Sequence, residues 1–316
     1  MPAGKTGDDV SMQQSPPRDL PTIVLEAGGG SPGATWAWVE QHLAPRGLVV
    51  RYDRAGYGRN AEWVDDAGAA GVASRLETLL ARAAIPGPYL LVGYSLGGLF
   101  VQYYAATHAS DVAGLVLVDP TPSDPTFESR IRQAVPWSRR LAFPILGGSQ
   151  RLVIRVIQAL AWSGLFRAWN PFAGAVGRTG LPGEAANELI ASLANPRHFG
   201  TLARELRALK VSQDLVATHP LAPDVPVMVV SAGAQPHKGK RPSPYFAVAA
   251  RAMRQHHETM AARSASGRHI IMEQADHNSL LFDRVHATEL AEQILRFAET
   301  CSRAPRATSR PASERA

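Results

Sequence analysis

One cysteine, Cys301, in 316 residues leaves no partner for an internal disulfide. A crosslinked framework is thereby excluded, and a reducing compartment, the cytoplasm, is the expected location. No apolar run approaches the roughly 20 residues that a helix needs to span a bilayer. Met1 to Asp8 lack a basic segment followed by an apolar run, so no signal peptide is expected. There is no His-Glu-x-x-His pair, no paired cysteine and no phosphate-binding loop, and neither a metal nor a cofactor is expected. Gly28-Gly29-Gly30 follows an apolar stretch but lacks the spacing of a dinucleotide fingerprint.

Basic residues exceed acidic ones, giving a formal charge of +6, but the excess is unevenly spread. Residues 301–316 carry four arginines (303, 306, 310 and 315) against Glu314, a net +3 and half the total. This stretch is rich in Pro, Ser, Ala and Arg without apolar periodicity, and is expected to be a disordered basic tail. Elsewhere no basic stripe is interleaved with aromatics, which argues against a nucleic-acid partner.

What is present is a chain with 45% hydrophobic residues, long enough for one large core or a core with a subdomain. Residues 1–20 are polar and contain proline, and read as a flexible leader. Strands are expected at Thr22-Ile23-Val24-Leu25-Glu26, Leu48 to Tyr52, Tyr89 to Val92, Gly114 to Val118, Pro226 to Ser231 and Arg268 to Met272. Helices are expected from Trp36 to Leu43, about Asp66 to Ala84, Gly98 to Ala106, Tyr245 to Arg263 and about Ala287 to Glu299. Short apolar strands alternating with helices indicate a mostly parallel sheet covered on both faces.

Between Thr121 and about Leu221 the strands vanish. Helical stretches replace them, Arg151 to Trp169 and Gly183 to Val216, broken at Asn195-Pro196. A hundred strandless residues are too many for a loop and imply a helical insertion. The expected organisation is therefore a core made of 21–120 and 221–300, with a cap at 121–220. Leu152 to Trp162 is apolar nearly all round, as a helix buried between a pocket and its neighbours would be. Its sparse basic residues argue against an interfacial membrane helix.

Gly93-Tyr94-Ser95-Leu96-Gly97 stands between a strand and a helix. A serine in such a turn is held in strained backbone with its hydroxyl above the sheet, and flanking glycines avoid collision with the neighbouring strand and helix. A serine hydroxyl needs a base within hydrogen-bond reach. Among ten histidines, His277 alone combines a loop just after a strand with the order serine, acid, histidine. His256 and His257 fall mid-helix, His108 at a helix end and His269 inside a strand.

With Ala27-Gly28-Gly29-Gly30, the turn at Ser95, Asp119 ending a strand, and His277 after the last strand, residues 21–300 resemble the α/β-hydrolase family. The resemblance implies a doubly wound sheet with a mobile cap inserted after the strand ending at Asp119. It also implies Ser95 as nucleophile and His277 as base. Many relatives carry their acid just beyond the strand after the cap, but Ser231 to Lys238 holds no carboxylate. Asp119 occupies the family's second position for it, although an Asp before Pro120 also suits a simple turn cap. Asp124 and Asp276 are weaker rivals. Oxyanion donors are expected at the N–H of Leu96 and of Gly28, or else Gly29, where Glu26-Ala27 replace the family's frequent His-Gly. Tyr94, Trp36 and Trp38 would line the pocket or pack in the core.

The expected activity is hydrolysis of a small carboxylic ester or related acyl compound without a cofactor. Serine at position 95 argues against the dehalogenase and epoxide-hydrolase chemistries of this fold, which use an aspartate there. A lyase, peroxidase-like enzyme or cyclase, a peptidase, and a ligand-binding protein with a vestigial site stay open. So do the substrate, the oligomeric state, and the form of the sheet's first edge: reduced, or built irregularly from residues 9–20.

Overall fold

The computed structural model describes residues 10–13, 20–60, 62–134, 156–234 and 244–303. Its strands are β1 (Val10–Gln13), β2 (Thr22–Glu26), β3 (Val49–Tyr52), β4 (Tyr89–Tyr94), β5 (Val112–Val118), β6 (Val227–Ala232) and β7 (Arg268–Met272). They form one sheet in the order β1-β3-β2-β4-β5-β6-β7. β1 pairs antiparallel with β3, and all other neighbours are parallel. The principal helices are α1 (Ala37–Leu43), α2 (Ala69–Arg82), α3 (Gly97–Thr107), α4 (Phe127–Ala134), α5 (Gly183–Ala194), α6 (Pro196–Thr218), α7 (Pro244–Ala262) and α8 (Arg284–Arg303).

Successive side chains of a strand point to opposite faces, so a continuous apolar run fills two cores at once. Ile23, Leu25, Val92, Val116 and Val230 join Leu43 of α1 and Leu290, Ile294 and Phe297 of α8 on one face. Val24, Leu91, Leu115, Leu117 and Val229 meet Leu76 and Leu80 of α2, Tyr104 of α3 and Met260 of α7 on the other. This is a doubly wound α/β sheet. From β2 the chain moves outward to β3, then returns to β4 on the opposite side of β2. Loops leaving β2 and β4 therefore diverge, and a crevice opens above their carboxyl ends, where ligands of such sheets bind.

The described part of the stretch between β5 and β6 consists of helices joined by turns and holds no strand. Asn195 separates α5 from α6 by accepting a hydrogen bond from the Arg197 N–H, and Pro196 takes the first position, where no amide donor is needed. α6 lies over the crevice. Its Val216 packs with Leu96 and Phe100, and Ser212 Oγ accepts from the Ala69 N–H at 3.0 Å.

Two expectations at the termini need correction. Val10–Gln13, within the expected leader, is an edge strand. Val10-Ser11-Met12-Gln13 alternates apolar and polar, but over only four residues between polar, proline-containing neighbours, and it is the antiparallel pairing to β3 that defines the strand. The closing helix runs to Arg303, and its Cys301 is buried rather than part of a tail. Burial pushes that thiol up to about 11. Residues 1–9 and 14–19 of the leader, 135–155 of the expected cap with the start of its apolar run, 235–238 and 304–316 lie outside the described residues. Among the described residues, no helix is long and apolar enough to cross a membrane.

His198 of α6 is buried where the insertion meets the core, with its Nδ1 2.9 Å from Ser192 Oγ and its ring edge-on to Tyr57. Burial, helped by the charge of Arg54, lowers it from the ordinary 6.5 to about 4. The unfolded chain then binds more protons than the folded one between these values, so stability falls as pH drops through that window. At about 1.4 kcal/mol per pH unit the loss across that window is on the order of 3 kcal/mol. His256, also lowered by burial to about 4, adds with the same sign. Thermal unfolding of wild type and His198→Gln at pH 7 and pH 4.5 should show a smaller pH dependence in the variant.

Candidate active site

The loops that leave β2, β4, β5 and β7 meet at the crevice. Ser95 follows β4 directly and has φ of 52°, a left-handed backbone rare outside glycine. Three main-chain hydrogen bonds fix the turn: Ser95 N–H to Val118 O at 3.0 Å, Thr121 N–H to Ser95 O at 2.9 Å, and Gly98 N–H to Ser95 O at 3.0 Å. Both flanking glycines are sterically required. A Cβ at Gly93 would stand 2.7 Å from Gly97 O and 2.8 Å from Gly98 Cα. One at Gly97 would stand 2.5 Å from Ala27 O and 2.7 Å from Glu26 O, so this glycine lets β2's loop and the turn touch.

Asp119, the first residue beyond β5, is also left-handed, with φ of 42°. Its Oδ2 lies 2.6 Å from His277 Nδ1, and its Oδ1 accepts from the Ala232 N–H at 3.1 Å. Burial alone would raise this carboxyl, but the hydrogen bond and charge of His277 outweigh it and hold Asp119 below its ordinary value. With Nδ1–H committed to a carboxylate, Nε2 of His277 is the nitrogen left to accept a proton. The imidazole is 44% exposed, open to the crevice side. Tyr94 holds it from below: the rings stack with centroids 4.8 Å apart, and the Tyr94 O–H donates to His277 O at 2.8 Å. Because Tyr94 precedes Ser95, the loop carrying His277 is fastened to the serine turn itself.

A Cβ at Gly28 would lie 3.4 Å from Ser95 Cβ, and one at Gly29 3.0 Å from Leu96 Cδ2. The N–H groups of Gly28, Gly29 and Leu96 are not taken by any acceptor among the described residues. Leu96 is also the N-cap of α3, whose dipole favours negative charge there.

The sequence pattern of the alpha/beta hydrolase family matches residues 23–293. The chain belongs to this family. It is 34% identical over 103 residues to the uncharacterised YqjL of Bacillus subtilis, covering 33% of this chain and 41% of that protein. To the mouse (lyso)-N-acylphosphatidylethanolamine lipase it is 29% identical over 164 residues, 49% of this chain and 46% of the lipase. The matches thus span less than half the length of either relative. Among solved structures, a Pseudomonas aeruginosa protein provisionally described as an epoxide hydrolase aligns with a TM-score of 0.64 at 18% identity, over 93% of each chain. That likeness speaks for the alpha/beta hydrolase fold alone.

The remaining expected site residues divide. Trp36 is fully buried in the core, edge-on to Tyr94 with centroids 6.3 Å apart, so it packs rather than lines a pocket. Trp38 donates its indole N–H to Gly180 O at 2.9 Å, tying α1 to the insertion. Asp276 turns away from His277 and accepts from the Ser279 N–H at 2.9 Å. Asp124 binds Thr126 and Arg130. Among the described residues no cluster of three or more His, Cys, Asp or Glu could hold a metal ion.

Two groups of residues went unread in the sequence. His257 lies behind Asp119, its Nδ1 3.9 Å from Oδ1. Its Nε2 is 3.0 Å from Pro120 O, which can only accept, so Nε2 carries the proton. Burial lowers His257 despite Asp119, leaving it neutral. Nδ1 then accepts from Ser231 Oγ at 2.7 Å, and that oxygen lies 2.8 Å from His269 Nε2. This second histidine is thereby kept off the carboxylate. Their periodic positions in α7 and β7 look like core filling, and only the sheet order brings them behind Asp119.

The second group centres on Arg54, buried in the loop after β3. Its guanidinium bonds Glu26, Glu205 Oε1 of α6 at 3.0 Å, Ala27 O at 2.6 Å and Gly28 O at 2.7 Å. Burial would lower this guanidinium, but Glu205 and Glu26 hold it up. Burial pushes Glu26 up, against the pull of Arg54 and of the Tyr52 hydrogen bond. Glu205 Oε2 also accepts from the Tyr57 O–H at 2.7 Å. A charged residue ending an apolar strand, Glu26, was the available signal that a buried cation had to lie nearby.

Gly97→Ala should cost about 1–3 kcal/mol, because the new methyl meets two main-chain oxygens that cannot move without separating β2's loop from the turn. Urea denaturation of wild type and variant measures this loss directly.

Proposed function

We propose that the chain is a serine hydrolase acting on a carboxylic ester or related acyl compound through an acyl-enzyme. The observation that carries this reading is the 2.6 Å hydrogen bond between His277 Nδ1 and Asp119 Oδ2, on an imidazole that Tyr94 fastens to the serine turn. Ser95 Oγ attacks the acyl carbon as His277 Nε2 takes its proton. Asp119 keeps the imidazole in the needed tautomer and stabilises its protonated form. Charge developing on the carbonyl oxygen is met by the N–H groups of Leu96 and Gly28. His277 returns the proton to the leaving group, and water, deprotonated by the same imidazole, releases the acid and restores Ser95.

Membership of the alpha/beta hydrolase family and the similarity to a mouse protein named as a lipase support ester hydrolysis. Serine rather than aspartate in the turn speaks against epoxide opening. The helical insertion over the crevice is proposed to be the cap that selects the substrate.

Purified protein should react with a fluorophosphonate probe and turn over p-nitrophenyl esters, and Ser95→Ala should abolish both. Asp119→Asn, which leaves the size of the side chain but spoils the tautomer, should lower kcat by about 10³–10⁴-fold. Unchanged labelling in Ser95→Ala would defeat the proposal.

A further inference from the structure

A backbone N–H belongs to the same planar peptide unit as the carbonyl of the preceding residue. The N–H of Gly28 is thus paired with Ala27 C=O, and that of Gly29 with Gly28 C=O. Both carbonyls accept from the same buried guanidinium, from Nη1 at 2.6 Å and Nη2 at 2.7 Å. A cation bonded to the oxygen end of a peptide draws electron density from its nitrogen, making the N–H a stronger donor, and successive bonds in such a chain polarise one another. It also fixes the plane, so the N–H direction cannot drift. Only arginine offers planar, diverging donors that reach two adjacent carbonyls at once.

The guanidinium is itself seated from two sides. Glu26, at the end of β2, holds Nη1 from the core. Glu205 holds Nε at 3.0 Å from the middle of α6, a helix of the insertion. Glu205 is buried, and its other oxygen accepts from Tyr57 and lies 3.4 Å from the Gly30 N. The rings of Tyr57 and Phe100 flank the guanidinium at 5.2 and 5.3 Å. No solvent-exposed charge takes part. A buried ion cluster contributes little net stability compared with apolar side chains of similar volume. Its position against two particular peptide oxygens calls for another role.

We propose that Arg54 is a positioning residue for the oxyanion site, seated by Glu205 of the insertion. It orients and polarises the peptide units that carry the Gly28 and Gly29 N–H groups. This rests on the serine-hydrolase reading above and adds what sets the strength of its oxyanion donors. It also makes the insertion part of the catalytic machinery: when α6 lifts, Arg54 loses one of its two carboxylate anchors and the donors lose their orientation. Opening of the cap and weakening of the oxyanion site are then one event.

The test compares wild type, Arg54→Lys and Glu205→Gln, each verified as folded by thermal unfolding. The readouts are p-nitrophenyl butyrate turnover, the rate of fluorophosphonate labelling, and affinity for an alkyl trifluoromethyl ketone, which forms a tetrahedral oxyanion with Ser95. Arg54→Lys should lower kcat and the labelling rate by about 10²-fold, as loss of a single oxyanion donor does. KM should change less than about 3-fold, and ketone affinity should fall in proportion to kcat. Glu205→Gln, which leaves the Arg54–Glu26 pair intact, should lower kcat about 10-fold with the same split, and it decides the matter if Arg54→Lys does not fold. Folded variants with wild-type kcat, or with reduced kcat but undiminished ketone affinity, would overturn the role of Arg54 while leaving the hydrolase reading standing. A wild-type chain inert to the fluorophosphonate would overturn the hydrolase reading and this inference with it.

Discussion

Ser95 can keep a left-handed backbone only because its neighbours on both sides give way. Gly93 admits the start of α3 against β4, and Gly97 admits the carbonyls of Glu26 and Ala27 against the start of α3. Single side chains at either position would force the strand, the helix and the loop apart. The hydrogen bonds to Val118 and from Thr121 then close the turn onto β5. Every other contact of the site is measured from this bend: Gly28 lies against Ser95, Tyr94 beneath His277, and Asp119 one residue beyond the strand that holds the turn. Strain at Ser95 and Asp119 is therefore maintained by the sheet beneath them, which buries both faces of β4 and β5 and cannot relax locally.

Charge is handled in two layers. Nearest the crevice, the Asp119 carboxylate is satisfied by His277 and a main-chain N–H. Behind it stands a histidine that could compete for the carboxylate, yet Pro120 O and Ser231 occupy both its nitrogens and burial keeps it neutral. Beneath the β2 loop, Arg54 faces two carboxylates and two carbonyls. The Arg54 layer is shut off from bulk water, so its interactions are stronger than surface pairs and their loss more costly, whereas the Asp119–His277 pair opens to the crevice through the imidazole.

The parts of this arrangement that are local were legible in the chain. β2 and β7 fall where their apolar runs place them, and the break at Asn195-Pro196 follows from a cap side chain and a residue without an amide proton. The placement of Ser95 on a tight turn and of His277 in a post-strand loop was legible because each local context carries its own signal. Arg54 and Glu205 were not, for their positions are 151 apart and each looks alone like a charge on a turn or a helix. His257 and His269 were hidden likewise in periodic helix and strand. Trp36 went the other way, since an aromatic beside a glycine loop suits a pocket wall and a core equally until packing decides. Edge strand β1 escaped because its alternation of apolar and polar residues spans only four positions.

Pairings that join distant segments also explain how one fold accommodates different chemistries. The sheet order fixes the direction from which each loop enters the crevice, and this much is common to structural neighbours at 18% identity. What the direction is used for depends on a few side chains at the loop ends. An alcohol at position 95 needs a base to remove its proton and donors for the oxygen that gains charge, whereas a carboxylate there would need neither in the same form. The buried cation behind Ala27 and Gly28 would strengthen donors that face negative charge on the far side of those peptides, as proposed above. Its presence and the serine at the turn therefore argue for the same kind of reaction from opposite sides of one loop.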